Sequence, residues 1–326
     1  MKKRGAALKP HVIAVVGPTA SGKTSLGAAI AEALDGEVIS ADSMQLYEGM
    51  DIATAKPTKE ETRGVPHHLI GVVPQSASFS VAQYKARCQQ TIDDVISRGK
   101  VPVLVGGTGL YLDAMFYNTK FFDEADTSFR ETLTARAEEE GTETLLDELR
   151  SVDPDTAAML NVYDKKRIIR ALEVYYATGK TMREQREASH LEDTPYDFCV
   201  IGLSASDRAY LYDRINRRVD QMVSRGLVEE AEAFCKANPA GTAKQAIGYK
   251  ELAPYFAGAC TLEQALDQLK METRRYAKRQ LTWFRRNDAI HWLMIDQLPF
   301  PDLLRESLSI IARETGIVPN DKGENV

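Results

Sequence analysis

The stretch Val12-Ile13-Ala14-Val15-Val16-Gly17-Pro18-Thr19-Ala20-Ser21-Gly22-Lys23-Thr24-Ser25-Leu26-Gly27 decides the fold. An apolar run of strand type enters a glycine-bounded loop, and the loop enters a sequence of helical spacing. Buried strand, glycine loop and helix is the order that a phosphate-binding P-loop requires. Successive backbone N–H groups curl around an anion, and the helix N-terminus adds unpaired donors and the positive end of its dipole. Gly17, Pro18, Thr19, Ala20, Ser21, Gly22, Lys23 and Thr24 are therefore expected to bind a di- or triphosphate. Lys23 would reach the outer phosphates, and Thr24 would hold a Mg²⁺ that bridges them. A chance turn carrying a surface lysine would lack the flanking strand and helix.

Outward from this loop the pattern repeats. A second strand is expected at Glu37–Ser40, ending in Ala41-Asp42-Ser43, and a third at Val101–Val105, ending in Gly106-Gly107-Thr108-Gly109. Between them, from Val81 to Arg98, apolar residues recur at helical spacing. Strands alternating with helices predict a parallel sheet, and such sheets bind ligands beyond the carboxyl ends of their strands. From Thr127 to His190 the sequence turns charged and helix-forming, with Ala135–Glu140 and Ile168–Tyr176 the clearest segments. Phe198–Leu203 reads as a return to the sheet, helices follow over 208–236 and 262–285, and Ile290–Ile295 is one more apolar stretch. The expected fold is α/β, a P-loop NTPase-like parallel sheet flanked by helices, with an all-helical insert domain. Its expected divisions are a first core part at 8–126, the insert at 127–192, the returning core at 193–316 and a frayed tail at 317–326.

The bulk properties narrow the class. A chain of 326 residues can bury two units, and a net charge of −6 disfavours a surface coated by nucleic acid while permitting a local basic groove. Cys88, Cys199, Cys235 and Cys260 lie far apart with no CxxC pair, which disfavours metal ligation or a disulfide framework and fits a reducing cytoplasm. Met1-Lys2-Lys3-Arg4 resembles the start of a secretory signal, but the apolar run behind it is short and leads into the P-loop. No stretch approaches the length of a membrane span, and a monomer is the expected state.

Several residues carry candidate chemistry, each beside a plainer role. Asp42, at the end of the second strand, could accept a proton or ligate a metal, or it could cap a turn. Gly106–Gly109 could admit a ligand close to backbone with Thr108 among them, or form a tight strand-to-helix turn. The third strand ends in glycines and threonine instead of the Mg²⁺-holding Asp of many NTPases, which counts against ordinary ATP hydrolysis. Arg208, Arg214, Arg217, Arg218 and Arg225 form one basic cluster. Arg274, Arg275, Lys278, Arg279, Arg285 and Arg286, interleaved with Tyr276, Trp283 and Phe284, form another. Such groups suit phosphate contact and base stacking, although a charge run often marks a solvated helix face and Trp283 and Phe284 suit a core. His67 and His68 have no acidic partner spaced for a metal and read as structural residues or hydrogen-bond donors.

Together the segments resemble one family, the tRNA dimethylallyltransferases, also called tRNA isopentenyltransferases. The matching runs are Gly17–Thr24, Ser40–Tyr47, Asp51–Pro57, Pro66–Ile70, Val105–Tyr111, Lys166–Tyr175, Gln245–Glu251 and Thr273–Arg285, in order through nearly the whole chain. Ala53 stands where the family usually has glycine, and Lys166 where glutamine is common. The resemblance implies transfer of a dimethylallyl group from its diphosphate to the exocyclic amine of the adenosine 3′ of the tRNA anticodon. It implies that the P-loop, Lys23, Thr24, Mg²⁺ and Arg218 hold the diphosphate, that Asp42 takes the amine's proton, and that Thr108 orients the donor. It further implies RNA contacts from Asp42, Ser43, Met44, Gln45, Thr108, Arg130, Lys166, Arg167, Ile168, Ile169 and Arg170, and from Gln245, Ala246, Ile247, Gly248, Tyr249, Lys250 and Glu251. The insert would close over the anticodon stem. The competing readings are a P-loop small-molecule kinase, a nucleotide-gated RNA-binding protein without catalysis, and a prenyltransferase acting on free adenine nucleotides. Consumption of ATP, RNA binding indifferent to Asp42→Asn, and label on AMP respectively distinguish them.

Overall fold

The apolar runs of the sequence become the inner strands of one parallel sheet. In a computed structural model, which describes residues 9–121, 128–189, 193–237, 239 and 241–320, β1 (His11–Val16) leads through the P-loop to α1 (Lys23–Ala33) and β2 (Gly36–Ser40). β3 (His67–His68) and α2 (Val81–Ser97) precede β4 (Val101–Gly106) and α3 (Gly109–Phe116). The strand order is β3-β2-β4-β1 and continues through β5 and β6, defined below, with every pairing parallel. β1 is fully buried from Val12 to Val16, flanked by β4 and β5, which explains its unbroken apolar sequence. His67–His68 was expected as loop; it is instead a two-residue edge strand on Val38 and Ile39, too short to show a period.

A second compact unit spans Tyr117–Thr194 and interrupts the first, which takes Met1–Phe116 and Pro195–Val326. It contains α4 (Ser128–Glu139), α5 (Thr142–Val152), α6 (Pro154–Ala157), α7 (Lys165–Thr178) and α8 (Met182–Ser189) around its own core of Leu133, Leu145, Leu146, Leu149, Ile168 and Leu172.

The first unit resumes with β5 (Asp197–Ser204), α9 (Arg208–Ser224) and α10 (Leu227–Ala237). The helix expected over 208–236 is thus two helices, because Gly226 at φ 97° breaks the first after Arg225. α11 (Ala253–Phe256), α12 (Leu262–Phe284), β6 (Ile290–Met294) and α13 (Phe300–Thr315) complete the fold. α12 starts at a reciprocal capping box, Thr261 with Gln264, which satisfies two otherwise orphan donors. Beyond α13 the chain is held rather than frayed up to residue 320: Ile317 packs on the core and Asn320 N–H donates to Ala33 O (3.1 Å). The rest of the expected tail, 321–326, lies outside the described residues.

Candidate active site

Three loops leave the carboxyl ends of neighbouring strands: the P-loop after β1, residues 41–47 after β2, and Gly106–Thr108 after β4. The glycines of the last loop are required by close approach. A Cβ on Gly106 would sit 2.2 Å from Ala41 O, one on Gly107 2.2 Å from Gln280 Nε2, and one on Gly109 2.4 Å from Trp283 Cδ1. The bland account of this loop, tight packing between strand and helix, is therefore correct for its glycines. Thr108 does more: its Oγ1 accepts from Ser43 N (2.9 Å) and donates to Ser43 Oγ (3.3 Å), joining the loops after β4 and β2.

Above these loops lie two cavities. The first, about 450 Å³, is lined by Thr19, Ala20, Gly22, Lys23 and Thr24 on one side and by Arg214, Arg217, Arg218 and Arg225 on another. The second, about 240 Å³, is lined by Ser43, Met44, Ala53, Gln245, Ala246, Ile247, Gly248, Lys250 and Arg279. Asp42, Thr19, Thr54, Arg218, Met222 and Tyr276 line both. Asp42 is thus where a chamber walled by the P-loop and the arginines of α9 meets a more apolar one. Its Oδ1 accepts from Met44 N (2.9 Å) and, at 3.4 Å, from Gln45 N, so it also caps a turn. The turn cap weighed for Asp42 is thus observed, and neither of these bonds involves Oδ2.

The charges of the first chamber are held by burial. Desolvation, aided by the positive charge of Arg218 and opposed by Asp42, pulls the Lys23 ammonium down to about 7. Burial also lowers the Arg218 guanidinium, against the attraction of Asp42. Two cations facing one cavity at such a cost make a site that an anion relieves. Lys23 Nζ folds back on Pro18 O (2.6 Å), and Arg214, absent from the expected site residues, braces the loop through Nε to Ala20 O (2.8 Å). Gln280 was missed as well. Its Oε1 accepts from Thr19 N (2.8 Å) and its Nε2 donates to Gly107 O (2.9 Å), clamping the P-loop to the loop after β4. A lone glutamine in the buried stripe Ala277, Gln280, Phe284 of α12 was the available signal.

Some expected contacts need correction. Thr19 N–H already serves Gln280, and Ser21, buried, donates its hydroxyl to Pro18 O (2.9 Å), so neither group faces an anion. Gly17 and Pro18 shape the loop without lining the cavity. Ile168 and Ile169 were expected at RNA, but their side chains pack into the core of the Tyr117–Thr194 unit, which gives that stretch its apolar character. Tyr249 and Glu251 are buried too and line neither cavity. Glu251 Oε2 accepts from Gly248 N (2.8 Å), and burial raises its carboxyl above the usual range. Lys166 and Arg167 are exposed, whereas Arg130 and Arg170 converge on buried Glu173 (2.9 and 3.0 Å) with their guanidinium groups part-exposed. In the basic face of α12, Arg275, Lys278, Arg279 and Thr282 are exposed, while Phe284 is core and Trp283 donates to Asp113 (3.0 Å).

The chain is similar to known proteins over most of its length. A family model described as IPP transferase matches residues 45–287. A tRNA dimethylallyltransferase of Caldanaerobacter subterraneus subsp. tengcongensis is 46% identical over 302 residues, 91% of this chain and 96% of that protein. One of Halalkalibacterium halodurans is 47% identical over 309 residues, 94% of this chain and 98% of that protein. The crystal structure of a full-length tRNA isopentenylpyrophosphate transferase from Bacillus halodurans, 44% identical, matches with a TM-score of 0.70 over 94% of this chain and 96% of its own. A eukaryotic dimethylallyltransferase acting on tRNA, 28% identical, matches with a TM-score of 0.81 over 97% of this chain and 81% of its own.

Proposed function

This chain belongs to the IPP transferase family of tRNA dimethylallyltransferases, and from that premise we propose how its residues carry out the transfer. The donor is dimethylallyl diphosphate and the acceptor the exocyclic amine (N6) of the adenosine 3′ of the anticodon. The diphosphate enters the larger chamber, against Ala20, Gly22, Lys23, Thr24, Arg214 and Arg218, and the hydrocarbon and the acceptor base meet across Asp42 in the smaller one. The amine nitrogen forms a bond to the terminal allylic carbon. The bond from that carbon to the diphosphate oxygen breaks, and its electron pair leaves with the diphosphate. The amine proton passes to Asp42 Oδ2, the oxygen left over by the turn that Oδ1 caps. Lys23 and Arg218, already oriented and desolvated, stabilise the charge that develops on the leaving group.

The adenine amine is a poor nucleophile, its lone pair being delocalised into the ring, so positioning and leaving-group stabilisation carry most of the acceleration. The base must be turned out of its loop to reach Asp42, which an anticodon loop permits at modest cost. The residues fit a magnesium ion held mainly by substrate phosphate: Thr24 offers its hydroxyl oxygen to the larger chamber, and no cluster of three His, Cys, Asp or Glu exists among the described residues. When bound, Mg²⁺ supplies charge to the leaving diphosphate. Exposed Lys166 and Arg167 and the basic face of α12 suit the RNA backbone. The protein is read as a monomer that works where its tRNA is, in the cytoplasm.

The observation that carries this assignment is that Asp42 lines both cavities. The test is a transfer assay with radiolabelled dimethylallyl diphosphate, Mg²⁺ and unmodified bulk tRNA, beside free AMP and beside Asp42→Ala. Label in tRNA alone, nearly lost in the variant, is expected. Label on AMP moves the acceptor to free nucleotides, and no label with turnover of ATP returns the chain to the kinases.

A further inference from the structure

Glu230 lies outside the motifs and outside both cavities, on α10, yet its carboxylate makes more hydrogen bonds than Asp42. Oε2 accepts from Asp51 N (2.9 Å) and Ile52 N (2.8 Å), and Oε1 from Ala53 N (2.9 Å) and Tyr249 OH (2.8 Å). Three consecutive backbone donors of one loop and a side chain of another end on a single acidic group. An ionised carboxylate offers about four acceptor sites, so Glu230 is saturated.

Both loops wall the smaller chamber. Ala53 and Thr54 come from one, and Gly248 and Lys250, on either side of Tyr249, from the other. They touch directly: a Cβ on Gly248, at φ 111°, would lie 2.8 Å from Ala53 Cβ. Tyr249 cannot swing away, since it is buried and stacked on Phe234 of α10 at 4.0 Å between centroids. From the first loop the coupling continues to the centre. Gln45 Nε2 donates to Thr54 O (3.2 Å) and Ala55 O (3.1 Å), Gln45 Oε1 accepts from Ser40 Oγ (3.0 Å), and Gln45 belongs to the turn that Asp42 caps.

We propose that Glu230 is a positioning residue for the transfer: it fixes the distance between the 51–54 and 245–251 walls of the smaller chamber, and with it the placement of the acceptor base against Asp42. The proposal rests on the assignment of that chamber to the base. Glu230→Gln keeps the size but offers one strong acceptor in place of two, and turns an amide N–H₂ toward backbone donors. With bulk tRNA, kcat is expected to fall 10- to 100-fold, while affinity for inorganic diphosphate stays within twofold, because none of the residues Glu230 bonds, Asp51, Ile52, Ala53 and Tyr249, lines the larger chamber. Tyr249→Phe, losing one bond of four, should fall less. Hydrogen exchange of the folded variant should quicken in 51–54 and 245–251 together and remain unchanged in the P-loop. A kcat within twofold of wild type, a parallel loss of diphosphate affinity, or faster exchange spread through the whole first unit would overturn the proposal. Should the wild-type enzyme transfer nothing to tRNA, the assigned function fails by itself, and the exchange pattern still decides whether Glu230 joins the two walls.

Discussion

Lys23 shows how one residue sets the pH behaviour of the site. An ammonium held at about 7 is mostly neutral at pH 8 and mostly charged at pH 6. A bound diphosphate replaces the missing solvent and raises the value again, so binding at pH 8 should draw close to one proton from solution, and binding at pH 5.5 almost none. Calorimetry in buffers of different ionisation enthalpy measures this number. The difference between wild type and Lys23→Arg, whose side chain stays charged, removes the protons that belong to the diphosphate itself. An equal count in the two proteins would mean that the lysine is already charged without ligand. The sign for folding is the reverse of the usual lysine pair. The unfolded chain binds the extra proton between about 7 and 10.5, so this residue makes the free protein gain stability as pH rises through that window. Asp42 acts differently. Asp42→Asn keeps an acceptor for Met44 N–H but removes the base proposed for the transfer, so the fold should persist while the transfer rate falls by about 10²- to 10⁴-fold, as a lost general base does. A single-turnover rate on tRNA decides it, and a rate within threefold of wild type would deny Asp42 the proton.

At the scale of elements, α12 joins what the sequence left separate. Its exposed basic face was legible as arginine and lysine at three-and-four spacing, but its buried face was not, because Gln280 among apolar neighbours carries no period of its own. The sheet was legible for a simple reason: strands buried on both faces carry unbroken apolar runs, as β1, β4 and β5 do, while β2 is apolar only at Val38 and Ile39. Contacts such as Glu230 to residues 51–53, about 180 positions apart, exist only once the chain has folded, and no local pattern announces them. Gln280→Leu would leave Thr19 N–H and Gly107 O without partners. A loss of roughly 2 kcal/mol of stability or more is expected in denaturant unfolding, together with weaker diphosphate binding. A second element-level device stitches the sheet edge. Buried Glu37 of β2 receives Arg98, beyond α2, and His68 of β3 (2.6 Å), and the Arg98 guanidinium holds its carboxyl down at about 2. A depressed carboxyl stabilises the fold above the ordinary glutamate range and ceases to as pH falls from about 4.5 toward 2. Since Arg98 is part-exposed, the contribution is on the order of 2 kcal/mol. Glu37→Gln should be less stable at pH 7 and show a flatter acid limb between those values, and an unchanged limb would show the pair to be idle.

Across the whole molecule, the two units have separate cores, so their stabilities can be perturbed separately. The Tyr117–Thr194 unit is small and depends on a short set of leucines and isoleucines, with Ile168 and Leu172 of α7 wholly buried among them. A small core has little reserve. Removing three carbons from Ile168 takes away their burial and leaves a cavity, a loss of about 2 to 5 kcal/mol in well-packed sites. Ile168→Ala should therefore lower or abolish the cooperative melting of this unit. The P-loop and the residues that line both chambers belong to the other unit. Inorganic diphosphate should accordingly bind the variant as it binds wild type. Transfer to tRNA should not survive equally well if Lys166 and Arg167, on the first turn of the same helix, contribute to holding the RNA. The informative comparison is between two changes on one helix: Lys166→Ala together with Arg167→Ala removes exposed charge without opening the core, whereas Ile168→Ala opens the core without removing charge. Equal losses of tRNA affinity in the two, with diphosphate binding intact in both, would mean that the unit serves as a scaffold for that basic turn. Loss in the alanine pair alone would mean that the turn binds RNA even when the core beneath it is loosened. Loss in neither would move RNA recognition to the basic face of α12.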